Sequence, residues 1–114
     1  MNTEIYNRLL ELARARRLTT YSDIAPIAGL SMENEEDREI LSKLLGGIVL
    51  HENADGRPML TALVVHRGSD NNPGEGFFAV AEQIGRFGGS RQQLVRLEFW
   101  VNQVREVHDY WTSH

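Results

Sequence analysis

Apolar residues recur at helical spacing in several segments of the chain. The first predicted helix runs from Thr3 to Arg17, a second begins at Thr20, and a third begins near Asn34. A period of 3.6 residues puts such positions on one helix face, and that face packs against the core. The predicted buried positions of the first and third helices are Ile5, Leu9, Leu12, Ala13, Ile40, Leu41, Leu44, Leu45 and Ile48.

Proline and glycine modify the second and third helices. Pro26 lacks a backbone donor, so we expect the second helix to be short or distorted, and Gly29 supplies its C-terminal stop. Gly46 and Gly47 fall inside the third helix, where each costs about 1 kcal/mol of helix propensity. Because the apolar pattern continues beyond them, we expect these glycines to permit close helix packing rather than to end the helix.

The second half of the chain predicts one strand and two helices. Met59 to Val65 is rich in β-formers and predicts a buried strand without an obvious partner. Gly68 to Gly76 is a polar, glycine-rich loop, and Phe77 to Arg86 predicts a short helix. The last helix is predicted to start at Ser90, which forms a capping box with Gln93. Its predicted apolar face comprises Leu94, Leu97, Val101 and Val104, widened by Trp100, Val107, Tyr110 and Trp111.

Composition places the chain among small globular proteins. Its 114 residues, 41% of them apolar, fit one domain spanning residues 1–114. The absence of cysteine excludes disulfides and thiol chemistry. No apolar run approaches the roughly 20 residues that a membrane span requires. The N-terminal segment predicts an amphipathic helix and not a signal peptide. We therefore expect a cytoplasmic protein that does not contact membrane.

One segment has the pattern of a helix-turn-helix motif. Within Thr20 to Ser31, Ala25 provides a small residue where two helices approach, and Gly29 provides the turn. Leu30 provides a core anchor, and Ser31 a possible cap for the next helix. The same pattern also occurs in helical proteins that do not bind DNA, so it indicates a local structure and not yet a function.

Four pieces of the sequence resemble a known family in the same order. They are Thr20-Tyr21 with Ile24-Ala25 and Ala28-Gly29, then Lys43 to Gly47, Val64 to Arg67, and Gly74 to Phe77. They are similar to the winged-helix DNA-binding domain of O6-alkylguanine alkyltransferases and alkyltransferase-like proteins. The resemblance covers about half the chain, from Thr19 to Phe78. Val65 stands at the position of the reactive cysteine and Val64 replaces a proline. The segments from Gly29 to Lys43 and from Gly47 to His66 are longer than in that family.

The resemblance implies an α+β, mostly helical fold, with a winged-helix-like core and additional C-terminal helices. It implies non-catalytic binding of DNA, including damaged or distorted DNA, because the reactive cysteine is absent. Tyr21 would lie near a phosphate, and Lys43 would stand where the family inserts an arginine into the base stack. The candidate nucleic-acid-binding residues are Tyr21, Ser31, Arg38, Lys43, His66 and Arg67.

Purely structural roles remain open for three of these candidates. The Tyr21 ring is equally suited to packing at a helix start, Lys43 to a solvated helix face, and His66 to a hydrogen bond within the fold. The DNA interpretation requires that Tyr21, Lys43 and Arg67 share an exposed face with the basic cluster at Arg14, Arg16 and Arg17. That cluster also suits a helix C-terminus, where cations offset the helix dipole.

Acidic residues favour a second class of function. The net charge is −4, and the would-be recognition helix starts with acids that DNA phosphates would repel. These acids are Glu33, Glu35, Glu36, Asp37 and Glu39. The alternative is a protein-interaction module or homodimer that uses this acidic helix and a surface formed by Trp100, Tyr110 and Trp111. A third interpretation is a small-ligand pocket behind the Val65-His66 strand, covered by the loop from Asp70 to Phe78.

The sequence lacks signatures of catalysis. Its four histidines show no metal-ligand spacing, and no nucleophile-elbow motif is present. Gly74-Glu75-Gly76 is too short for a phosphate loop and lacks the lysine that follows one. Glu52 and His66 could form an acid/base pair, although nothing in the sequence brings them together. We therefore expect neither an enzyme nor a cofactor or metal site.

Overall fold

The computed structural model describes residues 1–68 and 72–114. Within these ranges the chain is a mostly helical α+β structure. Its α-helices are α1 (Thr3–Arg14), α2 (Tyr21–Ile24), α3 (Glu35–Ala54), α4 (Glu75–Gln83) and α5 (Gln93–Thr112). Two short strands, β1 (Thr19–Thr20) and β2 (Val64–Val65), pair in parallel. Part of the predicted Gly68–Gly76 loop lies outside the described residues. None of the described helices is long and apolar enough to cross a membrane.

Helix α1 confirms the predicted stripe but is shorter than predicted. All four of its predicted core residues are buried, and the Asn2 side chain caps the first turn. The helix ends at Arg14 instead of Arg17, because Arg16 adopts a positive φ of 54°. The chain closes this end through a bond from the Arg17 amide to the Leu12 carbonyl.

The second helix has the predicted distortion. The Thr20 side chain accepts a bond from the Asp23 amide and caps α2. After Ile24 the chain tightens into a 3₁₀ helix over Ala25–Ala28, with Pro26 in its first turn. Gly29, at a φ of 73°, ends it in the left-handed conformation.

The prediction of a strand from Met59 to Val65 is mostly wrong. Leu60–Leu63 form a 3₁₀ helix, and only Val64–Val65 are extended. The segment is buried along its whole length between α1, α3 and α5. An apolar run with every side buried has no alternation to distinguish strand from helix, so burial alone produced the misleading signal.

Helix α3 continues through its two glycines, but not for the predicted reason. Asn34 caps it, as expected, and the helix reaches Ala54. A Cβ built on Gly46 or Gly47 would meet no atom of another residue within 4 Å, so neither glycine is required for close packing. Ile40 was predicted to be buried and is 46% exposed.

The C-terminal helices shift relative to the predictions. Helix α4 starts two residues earlier than expected and ends at Gln83, followed by Gly85 at a φ of 76°. The predicted capping box on α5 does not form, because the Ser90 hydroxyl accepts from Gln92 and the helix starts at Gln93. The buried residues of α5 are Trp100, Gln103, Val107 and Trp111. Three residues of the predicted apolar face, Leu94, Leu97 and Val101, are exposed.

A buried ion pair connects these elements at the end of α3. Glu52 is fully buried and accepts two bonds of 3.0 Å from the Arg57 guanidinium. The Tyr6 hydroxyl of α1 donates to the same carboxylate at 2.8 Å. Burial and this carboxylate raise the pKa of Tyr6 to about 12, and the hydrogen bond to Glu52 raises the pKa of Arg57. Arg86, beyond α4, donates to the Arg57 carbonyl at 2.8 Å.

We predict that Glu52→Gln lowers the free energy of unfolding by about 3 kcal/mol, because it leaves a largely buried guanidinium without its counter-charge. Urea denaturation measures the change. Asp55→Asn is the matched control, since Asp55 contacts the same guanidinium at 3.0 Å but is itself 59% exposed. The control is expected to change stability by less than about 1 kcal/mol. Equal losses in the two variants would contradict the central role of Glu52.

Candidate functional site

A cleft of about 190 Å³ opens between α3 and the first turn of α4. Its apolar lining includes the buried side chains of Leu41, Leu45, Val49 and Phe77. More exposed polar residues complete it: Arg38 and Ser42 from α3, His66 after β2, and Glu75 at the start of α4. An apolar interior with a few polar groups at its edge is the usual character of a ligand site.

Tyr21 joins the two sides of this cleft. Its hydroxyl accepts a 2.8 Å hydrogen bond from the Gly74 amide. Its ring contacts the imidazole of His66, with 4.5 Å between ring centroids. A Cβ on Gly74 would lie 3.0 Å from His66 Nε2 and 3.1 Å from the Tyr21 oxygen. Only a glycine lets the backbone approach this pair without displacing it.

Burial raises the pKa of Tyr21, and the hydrogen bond from Gly74 only partly opposes this effect. The phenol therefore stays protonated at neutral pH. Its oxygen accepts from Gly74, and its own proton has no acceptor among the described residues. Tyr21 is thus a partly buried donor that a ligand in the cleft can use.

The first turn of α4 contributes backbone donors to the same cleft. Gly74 stands at the N-cap and provides no side-chain cap. A Cβ on Gly76 would lie only 2.9 Å from Ser42 Oγ, so the backbone passes close to α3 at this point. Arg96 of α5 holds the Glu75 carboxylate with bonds of 2.8 and 3.0 Å. The helix N-terminus, with its partial positive charge, therefore borders the cleft.

Of the six predicted site residues, three line the cleft: Tyr21, Arg38 and His66. Arg38 also donates to the Met32 carbonyl at 2.8 Å, which fixes the chain before α3. The backbone amide of His66 donates to the Asn72 carbonyl at 2.8 Å. These contacts place a phenol, a guanidinium and an imidazole around one opening.

The other three predicted residues have different surroundings. Lys43 is exposed and borders a shallow groove between α3 and α4, next to the cleft. Arg67 forms a 3.5 Å ion pair with Asp23 on the surface. The Ser31 hydroxyl accepts from the Glu33 amide and thus serves the turn before α3.

The basic cluster at the end of α1 contacts α5. Arg16 pairs with Asp109 at 2.9 Å, and the Arg14 guanidinium lies 5.5 Å from the centre of the Trp111 ring. Both cations therefore have partners on α5, and these contacts do not place them on one face with Tyr21, Lys43 and Arg67, so the shared basic face stays a prediction. The cluster lies at the C-terminal end of α1, where positive side chains offset the helix dipole.

Sequence reasoning did not single out two of the cleft residues, Ser42 and Thr61, because neither belongs to a motif. It named Gly74 and Gly76 only within the family resemblance and the covering loop, although they precede an aromatic residue at a helix start. Glu52 and His66 do not form an acid/base pair, because Glu52 bonds to Arg57 and Tyr6 while His66 contacts Tyr21.

The covering loop of the small-ligand interpretation is only partly described, because residues 69–71 lie outside the described ranges. Residues 72–78 reach the cleft through Gly74, Glu75, Gly76 and Phe77. Among residues 1–68 and 72–114, no group of three or more His, Asp or Glu side chains is placed to hold a metal ion.

Comparison with known proteins identifies no relative: no family model, no curated protein and no solved structure matches this chain. The cleft and the residues around it are therefore the basis for the proposed function.

We predict that Tyr21→Phe lowers the free energy of unfolding by about 1 kcal/mol, because it leaves the Gly74 amide without its acceptor. Hydrogen exchange of that amide should accelerate relative to its neighbours. Tyr110→Phe is the control, since the Tyr110 hydroxyl has no hydrogen-bond partner in the described ranges. An unchanged Gly74 exchange rate in Tyr21→Phe would contradict the proposed link across the cleft.

Proposed function

We propose that this protein binds nucleic acid without acting on it chemically, and that the cleft receives an unpaired base. The observation that carries this proposal is the convergence of Tyr21, Arg38 and His66 on one opening. The sequence alone also predicts these three residues for nucleic-acid binding. They come from three separate segments of the chain.

The size and lining of the cleft support a single ring system as its occupant. Its volume of about 190 Å³ is below the roughly 300–1,000 Å³ of pockets for drug-sized ligands. Proteins that hold an extruded base combine apolar contacts on its faces with hydrogen bonds at its edge. Phe77 and Leu41 offer the former, and Tyr21 and His66 offer the latter.

The charge around α3 favours single strands or distorted sites over intact duplex. The exposed acids Glu33, Glu35, Glu36 and Glu39 surround the start of α3. They oppose insertion of this helix between the phosphates of a duplex. An unpaired base brings fewer phosphates close to these acids than a duplex does, and Arg38 and Lys43 supply positive charge beside the cleft.

The non-catalytic character follows from the residue at the would-be reactive position. Val65 is buried, 3% exposed, and the chain contains no cysteine. We propose that this chain is related to the winged-helix core of alkyltransferase-like proteins. Its expected role is then to capture a base without transferring an alkyl group. Under this proposal α2, the Ala25–Ala28 turn and α3 form the helix-turn-helix part of that core.

We predict that a fluorescently labelled single strand binds more tightly than the intact duplex, and that a duplex carrying O6-methylguanine lies between them. Fluorescence anisotropy at low and moderate salt measures this order. His66→Ala should weaken binding about tenfold, as expected for the loss of one hydrogen bond to the edge of the base. Lys43→Ala should reduce the slope of log affinity against log salt concentration by about one, as expected for the loss of one phosphate contact.

The matched control is Arg91→Ala, which removes an exposed cation that does not line the cleft. It should leave the preference for unpaired bases unchanged. Absence of binding at low salt, or equal weakening by His66→Ala and Arg91→Ala, would contradict capture of a base in the cleft.

A second candidate function is self-association, and the exposed part of α5 favours it. Leu94 is 79% exposed, and Leu97 and Val101 are 45% and 39% exposed on the same helix. The two tryptophans of the aromatic surface predicted for this role are buried. Trp100 and Trp111 are each only 9% exposed, and Trp100 Nε1 donates to the Ala62 carbonyl at 2.8 Å. A homodimer would therefore use the aliphatic stripe of α5.

If the protein is a homodimer, Leu94→Glu should convert it to a monomer in light scattering coupled to gel filtration. A buried charge at the interface would lack a partner, which strongly disfavours association. Glu98→Gln, an exposed change on the same helix, serves as the control. A wild-type protein that is monomeric at high concentration would exclude this candidate.

A further inference from the structure

Several of the groups that face the cleft can donate a hydrogen bond to a ligand. Tyr21 offers its phenol proton, Ser42 its hydroxyl, and Arg38 the N–H groups that do not bond to Met32. The Gly76 amide lies in the first helical turn, where no intrahelical acceptor exists. The carboxylate of Glu75 is the exception, and Arg96 holds it with two bonds. Such a cleft is complementary to a ligand rich in acceptors.

Thr61 provides a second and independent sign of a ligand. It is only 5% exposed and lines the cleft from the 3₁₀ helix Leu60–Leu63. Its hydroxyl makes no hydrogen bond with any described residue, and Thr61 is part of the lining of the cleft. Buried hydroxyls normally have a partner, so this one is available to an occupant.

The first turn of α4 determines the charge that the occupant should carry. Helix N-termini attract negative groups, because their free amides point outward and the helix dipole is positive there. Gly74 and Gly76 have no side chains that would cover these amides. Arg38, on the opposite wall, adds a full positive charge. An anionic group between these two walls would be stabilised from both sides.

We propose that the cleft binds an oxyanion, a phosphate or carboxylate group, at the first turn of α4, with an attached ring against the apolar wall. This inference rests on the proposed role of the cleft as a ligand site and goes further by assigning the chemistry of the ligand. Arg38 and the Gly76 amide bind the oxyanion, and Tyr21 and Thr61 donate to the acceptors nearest to them. The phosphate belongs either to a nucleic-acid strand or to a free small molecule.

The test is a titration of the full chain, followed by amide chemical shifts, with phenyl phosphate as the probe and benzyl alcohol as its uncharged counterpart. Phenyl phosphate should shift the amides of Gly74, Gly76 and Thr61 and bind at least about tenfold more tightly than benzyl alcohol. Arg38→Gln should weaken phenyl phosphate about tenfold, and Thr61→Val about fivefold. Arg91→Gln, which removes an exposed cation that does not line the cleft, should change binding less than about twofold.

Two short oligonucleotides, with and without a 5′-phosphate, identify the source of the oxyanion. If the phosphorylated strand binds more tightly and shifts the same amides as phenyl phosphate, the oxyanion belongs to nucleic acid. Binding of phenyl phosphate alone assigns it to a small molecule and contradicts the proposed function, but not this inference. If both oligonucleotides bind and phenyl phosphate shifts no cleft amide, the inference is overturned while the proposed function stands. Equal binding of benzyl alcohol and phenyl phosphate also overturns it.

Discussion

The buried carboxylate of Glu52 is the constraint on which the arrangement of the helices depends. A charge removed from water must be compensated completely, because an unpaired buried charge is strongly destabilising. Arg57 and Tyr6 supply that compensation, and they belong to the turn after α3 and to α1. Arg57 also lies 6.0 Å from the centre of the Trp111 ring of α5. One carboxylate thus fixes α3 relative to α1 and places the following chain beside α5.

The consequence of this arrangement appears at the other side of α3. With its C-terminal end fixed, α3 presents Arg38 and Ser42 toward the first turn of α4, and the cleft lies between them. The β1–β2 pairing brings Thr20 beside Val65, so that the following residues, Tyr21 and His66, come into contact. The cleft is therefore assembled from positions 21, 38, 61, 66 and 74–76, which are distant in sequence. Several of its polar groups can donate hydrogen bonds, as the proposed acceptor-rich ligand requires.

The errors in the sequence-based predictions share one physical origin. Met59 to Val65 is buried on all sides, so its hydrophobicity carries no period that would reveal a 3₁₀ helix. Helix α5 has apolar residues around most of its circumference, so periodicity alone could not choose between the Leu94 stripe and the Trp100 stripe. Gly46 and Gly47 lie in a helix that other contacts stabilise, so local propensity did not determine where the helix ends.

The sequence by itself determined the elements whose signals are local. The stripe of α1, the helix starts at Thr20 and near Asn34, the distortion at Pro26 and the stop at Gly29 all depend on neighbouring residues, and each agrees with the structure. It also selected Tyr21, Arg38 and His66 as candidates. Only the tertiary structure brought these three together with Thr61 and the first turn of α4. Which face of α5 is buried was likewise decided by packing against the rest of the chain, since long-range contacts leave no periodic trace in a sequence.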